Sequence, residues 1–303
     1  MILGEIDSLF SLLDRLGRVL KLRRSREEKP ADSVASRFVK IFESHGVHRN
    51  QIPRFFGRGL TLQDVQNDES LLAKLDEPVL EDACNRFAVR REWLDGVDAQ
   101  IHPHHDFYKH PKKFSDFIHT LRANNPEGEL VGVLIAPNET KRQAPALLIL
   151  QETIGVIGDK AIYRYHLCNN WGFNYWKARA YLTACIAIAW KSEAYVHGIH
   201  MPNQDIEQLS QGETLLGWQG EGIWALGHKT WDPEDMALRP EAFLKGIDPE
   251  QDNYGIKAGL TLWLELEGKG LMDTDIVAVR DNVRRSFEQE LARYSTAAAG
   301  PIA

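Results

Sequence analysis

The residues best equipped for chemistry in this 303-residue sequence are the run HPHHDFYKH at positions 102–110. His102, His104, His105, Asp106 and His110 are all metal ligands by type. Their spacing matches no closed zinc pattern, Pro103 and Pro111 favour an extended connector, and Lys109, Lys112 and Lys113 repel a cation. The run therefore reads as a surface loop or domain junction with exposed histidines, and no metal is assigned. His197 and His200 form a second pair. At a strand end, residues three apart point to opposite faces, so a shared ion would need a turn there. Glu152, Asp159 and Lys160 resemble a nuclease's acid-plus-lysine set. A hairpin turn at Gly158-Asp159 accounts for them more simply, because such residues recur by chance in a chain that is 26% charged. Nucleophile elbows, HExxH, kinase and deaminase signatures and P-loops are absent. No catalytic residue and no cofactor are assigned, and an enzyme is the less favoured reading.

These residues must be positioned by an ordinary globular chain, 43% hydrophobic and 9% aromatic. No apolar stretch is long enough to span a bilayer. Acids at Glu5 and Asp7 argue against a secretory leader. Three cysteines without a CxxC pair exclude a disulfide framework and suit a cytoplasmic setting. The net charge is −7, but residues 1–60 hold 12 Lys+Arg against 7 Asp+Glu. A basic end on an acidic body either marks a polyanion-binding element or is ordinary surface variation.

The N-terminal segment places Ile2, Ile6, Leu9, Leu13, Leu16 and Leu20 at a/d heptad spacing. An association helix over 1–30, including its charged linker, would drive homo-oligomerisation or dock a protein partner. Packing on the chain's own body and a membrane-surface helix are the alternatives.

Residues 31–101 read as short helices around a glycine turn. A helix over 33–46 is followed by a second, capped by Asn50 and ending at Phe56. Gly57-Arg58-Gly59 turns the chain. Thr61 and Asp64 fit a capping box that opens a helix through about Asn67. Two more helices close on Arg91-Glu92-Trp93-Leu94-Asp95-Gly96. With Leu80, Ala83, Phe87 and Val89, this ending resembles the lambda-repressor/Cro-type helix-turn-helix domain over about residues 33–97. The resemblance implies double-stranded DNA as partner. Arg49, Asn50, Gln51, Arg54 and Arg58 would lie on or beside the supporting helix. Thr61, Gln63, Gln66 and Asn67 would lie on the helix entering the major groove. The sequence departs from the family at Pro53, and Asp64 and Asp68 put acids where DNA would lie. A helix-turn-helix-like scaffold that binds protein instead of DNA stays open beside it.

After a connector over 102–126, residues 127–303 read as an α+β domain with C-terminal helices. Strand candidates are Leu130–Ala136, Ala146–Leu150 with Thr153–Ile157, Lys160–Leu167 and Ala194–His200, with a helix from Trp171 to Trp190. That order is not the alternation of a doubly wound parallel sheet and predicts an antiparallel or mixed one. A loop with short strands is expected over 212–240. Seven of the eight tryptophans lie in this domain, six of them between Trp171 and Trp231. Tyr163, Tyr165, Trp171 and Trp176 are candidate walls of a small-molecule pocket, with a plain core as the alternative. The expected whole is an α+β multidomain protein: an N-terminal all-α helix-turn-helix-like part, then a sheet part that senses or docks. Its expected role is a cytoplasmic transcriptional regulator, or else a protein-interaction scaffold.

Overall fold

The computed structural model describes residues 32–139, 144–250, 254–276 and 280–296. By contacts the chain divides into Met1–Ser33 and Val34–Ala303, and every element below belongs to the second unit. The association residues Ile2 through Leu20 lie outside the described residues.

The fold is mixed α+β. The helical half comprises α1 (Val34–Ser44), α2 (Ile52–Phe55), α3 (Asp68–Leu72), α4 (Glu77–Phe87) and α5 (Arg91–Leu94). Phe38, Phe42, Phe56 and Phe87 form its centre, with neighbouring ring centroids 4.9–5.8 Å apart. The helix expected over Thr61–Asn67 does not form. The Thr61 and Asp64 capping box is present, with Thr61 N–H donating to Asp64 Oδ2 at 2.8 Å. It closes one turn only. Asn67 then takes an extended backbone and its side chain caps α3, accepting from Ser70 N–H at 2.8 Å. A second cap six residues after the first ends the first helix before it can propagate. Asn50 is likewise not a cap. His48 caps the 3-10 turn Arg49–Gln51 that leads into α2.

The sheet has the order β1-β4-β3-β2-β5, with β1 (His104–Asp106), β2 (Leu130–Pro137), β3 (Pro145–Ile157), β4 (Lys160–Gly172) and β5 (Val196–Met201). Strands β2, β3 and β4 form an antiparallel meander, while β1 and β5 add parallel edges. The hairpin turns at Gly158-Asp159, as its residue types suggest. β3 is one long strand. β4 runs past Leu167 to Gly172, so Trp171 is a strand residue paired with Ala146 and not the start of a helix. Both faces of the sheet are covered, which is why its strands read as near-continuous apolar runs. One face packs Leu134, Leu148 and Leu150 against α6 (Pro111–Asn124), α7 (Trp176–Lys191) and the C-terminal helices. The other packs Val133, Ile149 and Leu167 against α8 (Asn203–Ser210), Leu216 and Ile223. Two short helices, α9 (Asp235–Leu238) and α10 (Pro240–Leu244), lead to α11 (Tyr254–Glu267) and α12 (Arg280–Thr296).

The helical half joins the sheet at the β3–β4 hairpin, where Ile162 is buried in the helical core. The stretch 212–231 straps the two together. It consists of 3-10 turns, and its one bridge to a strand is Trp231 on Gly198. Lys160 Nζ donates to Gln219 O at 2.7 Å. Its side chain fits there because Gly46, at φ +86°, has no Cβ to obstruct it.

Candidate functional site

The family-implied DNA residues fall on one stretch of surface but do not form a reading helix. Arg54, Asn50, Thr61, Gln63, Gln66 and Asn67 are exposed. Gln51 is turned back, its Oε1 accepting from His48 N–H at 2.9 Å. Arg49 donates to Val65 O at 2.5 Å and to Asp68 Oδ1 at 2.7 Å. Arg58 grips both oxygens of Asp82 at 2.8 and 2.9 Å. Two of the three arginines are thus engaged with acids of the chain itself. Val65 and Leu71 anchor the segment in the helical core, while Leu62 and Leu72 are 60% and 53% exposed.

The candidate pocket residues are dispersed. Trp171 is buried in the sheet core and its indole donates to Cys168 O at 3.0 Å. Tyr165 is buried beneath the strap, with His45 at 5.7 Å and Trp218 at 5.4 Å between ring centroids. Tyr163 is half-buried beside it in the strap-side core. Trp176 alone lines an open groove, on the opposite layer. The strand position of Trp171, paired with Ala146, buries it where a helix start is expected from the sequence.

Two buried polar clusters carry the strongest electrostatics. In the first, Arg164 Nε and Nη2 each donate to Glu152 at 2.6 Å. Asn125 Nδ2 donates to the same carboxylate at 2.8 Å, and His166 Nε2 lies 3.0 Å from it. Burial raises the Glu152 pKa, but the hydrogen bonds from His166, Arg164 and Asn125 outweigh it and hold it down at about 2. Burial keeps His166 neutral despite that carboxylate, so its Nε2–H donates. Arg164 Nη1 also reaches Asn85 O at 3.3 Å, tying α4 to the sheet. Every strong acceptor position on Glu152 is taken. A saturated carboxylate this acidic is a poor general base, so the cluster serves as a lock.

The second cluster is made of histidines. His102 was expected to be exposed, yet it is fully buried and its Nε2 accepts Leu216 N–H at 3.2 Å. This binds the connector to the strap. His45, also buried, has Nδ1 2.6 Å from Ile41 O. Burial lowers His45 to about 4 and His102 to about 3. His105, half-buried, is lowered to about 4 by burial and by His166. His104 and His110 are exposed. Among the described residues no three of His, Cys, Asp and Glu are arranged to hold a metal ion. His197 stacks on Trp224 with centroids 4.4 Å apart, and His200 Nδ1 lies 3.1 Å from Thr230 Oγ1.

Sequence reasoning missed Arg179. It is fully buried, has no acidic partner among the described residues, and donates to Phe173 O at 2.8 Å, Phe243 O at 2.9 Å and Lys245 O at 3.2 Å. Burial lowers its pKa to about 9. No sequence signal marks it, because its partners are backbone carbonyls, two of them 64 and 66 residues away. Among the described helices none is long and apolar enough to cross a membrane. Comparison of the chain with protein-family models, with curated proteins and with solved structures gives no match.

Proposed function

We propose that this chain is a non-catalytic regulatory or assembly protein whose helical half docks on a protein partner. The observation that carries the reading is the state of the chain between Thr61 and Leu72. A major-groove reader needs a continuous helix over its reading residues and cations free for phosphate. Here a single capped turn precedes a five-residue helix, and Arg49 and Arg58 are held by Asp68 and Asp82. The exposed surface combines Leu62 and Leu72 with the amides of Gln63, Gln66 and Asn67. Mixed apolar and amide surface suits protein better than a polyanion, and the net charge of −7 adds long-range repulsion of DNA. The saturation of Glu152 removes it as a candidate general base.

A transcriptional regulator that binds double-stranded DNA is the second reading. The exposed set Asn50, Arg54, Gln63, Gln66 and Asn67 favours it. One experiment separates the two. A photo-crosslinking residue replaces Leu62 in the full chain, with Tyr195, which is 53% exposed, as the control position. In parallel, the chain is applied to pooled genomic DNA at about 50 and about 200 mM salt. A discrete protein adduct at position 62, lost with Leu72→Asp and absent at 195, with no DNA retention, supports docking. Salt-weakened DNA retention that disappears in Arg54→Glu/Arg58→Glu overturns it in favour of the regulator.

A further inference from the structure

We infer that the groove between α7 and α11 binds a nucleotide through its base and its phosphate, either free or within a single strand. The inference is independent of the docking reading, because it concerns another layer of the molecule.

The groove is open to solvent on one side and measures about 610 Å³. Its aromatic wall is a corner. Trp176 and Tyr254 meet with ring planes 85° apart and centroids 6.5 Å apart. A planar ring stacked on one therefore presents its edge to the other. Tyr254 is 61% exposed, so its face is open to a ligand. Tyr181 lines the same groove and is itself braced edge-on by Tyr108 at 6.0 Å.

Three cations surround this corner: Lys109, Lys177 and Lys257. Among the described residues none of them is in an ion pair. Lys177 Nζ lies 5.0 Å from the Trp176 centroid, and Lys109 Nζ lies 4.9 Å from that of Tyr108. The Lys177 ammonium thus rests against the Trp176 ring of the corner, while that of Lys109 rests on Tyr108, the ring that braces Tyr181. Lys109 also holds φ at +66°, an unfavourable conformation for a residue with a Cβ. Glu265 is the one acid lining the groove and leaves a local excess of two positive charges.

Stacking surface beside unpaired lysines is the chemistry that holds bases and phosphates together. A carboxylate without a ring would leave the corner unused. An uncharged aromatic would leave three ammonium groups unused. The ring recognises any base by its π-face, so selectivity among bases is expected to be low.

The test uses the full chain and fluorescence anisotropy with two probes, a dye-labelled adenosine monophosphate and a dye-labelled single-stranded oligothymidylate, at low salt. Binding of either probe is expected, weakened by salt. Lys177→Glu/Lys257→Glu should weaken it at least tenfold, and Tyr254→Ala at least fivefold. Lys112→Glu, outside the groove, should leave it unchanged, and so should Arg54→Glu/Arg58→Glu. Failure here is thereby distinguished from failure of the docking reading. Tighter binding of the monophosphate assigns a free nucleotide, and tighter binding of the oligonucleotide assigns a strand. Binding of neither probe overturns the inference. Binding insensitive to the two lysine changes or to Tyr254→Ala also overturns it. So does competition by inorganic phosphate as effective as that by unlabelled adenosine monophosphate, which would indicate an anion site without base recognition.

Discussion

Mild acid should loosen the join between the helical half and the sheet, and the buried histidines set the size of the effect. His45 and His102 have pKa values of about 4 and about 3 in the folded chain because burial penalises their charged forms. In the unfolded chain both titrate near ~6.5. The unfolded state therefore takes up protons first as pH falls. The stabilising contribution is fully present above about pH 6.5 and is lost as pH drops towards the folded values. Between pH 7 and pH 5 each histidine accounts for roughly 2 kcal/mol, or about 4 kcal/mol together. Glu234 opposes them. It is 8% exposed, and burial raises its carboxyl to about 7. The folded state binds its proton more tightly and gains roughly 2 kcal/mol over the same span. The net loss is about 2 kcal/mol, and the lowered His105, His197 and His200 add to it in direction. The assay is urea unfolding of the full chain at pH 7, 6 and 5 at constant ionic strength. His102→Gln keeps an acceptor near Leu216 N–H and removes one titration, so its pH dependence should shrink by about 2 kcal/mol. Glu234→Gln should enlarge it by a similar amount. The comparison is of slopes, so a lower baseline in either variant does not disturb it. If both variants keep the parent slope, the reasoning from buried, neutral histidines at this seam is wrong.

Three further outcomes follow from single contacts. Glu152→Gln leaves Arg164 without its bidentate partner, and breaking a buried pair costs about 3–5 kcal/mol; urea denaturation measures this, and a loss below ~1 kcal/mol would show that the lock contributes little. Arg179→Met strips the donors from the carbonyls of Phe173, Phe243 and Lys245, with a cost of about 3 kcal/mol or more. Hydrogen exchange should accelerate across 240–250, and unchanged protection there would contradict the clamp. Gly198→Ala drives a methyl group into the Trp231 indole. The chain should respond by releasing Trp231, seen as a red-shifted and quenched tryptophan emission, while an unchanged spectrum would mean that the strap yields without opening.

The amino-acid sequence determined what local chemistry controls. The hairpin at Gly158-Asp159, the helix over 33–46, the capping box at Thr61 and the apolar strands were legible because turns, caps and periodicity act over a few residues. The mixed sheet was legible as a class from the order of its elements. What failed was anything in which two local signals compete. Asn67 as a second cap ended the helix that Thr61 began, and no pattern states which cap prevails. Trp171 joined a strand because Ala146, on the neighbouring strand, offered it a ladder position. The sites depended on tertiary structure most of all. Glu152 meets Asn125 from 27 residues away, His102 meets Leu216 from 114, and Arg179 meets carbonyls with no side-chain identity to recognise. The lysines of the groove come from three separate parts of the chain. Burial and long-range proximity set the charge state of each of these groups, and neither exists until the chain has folded.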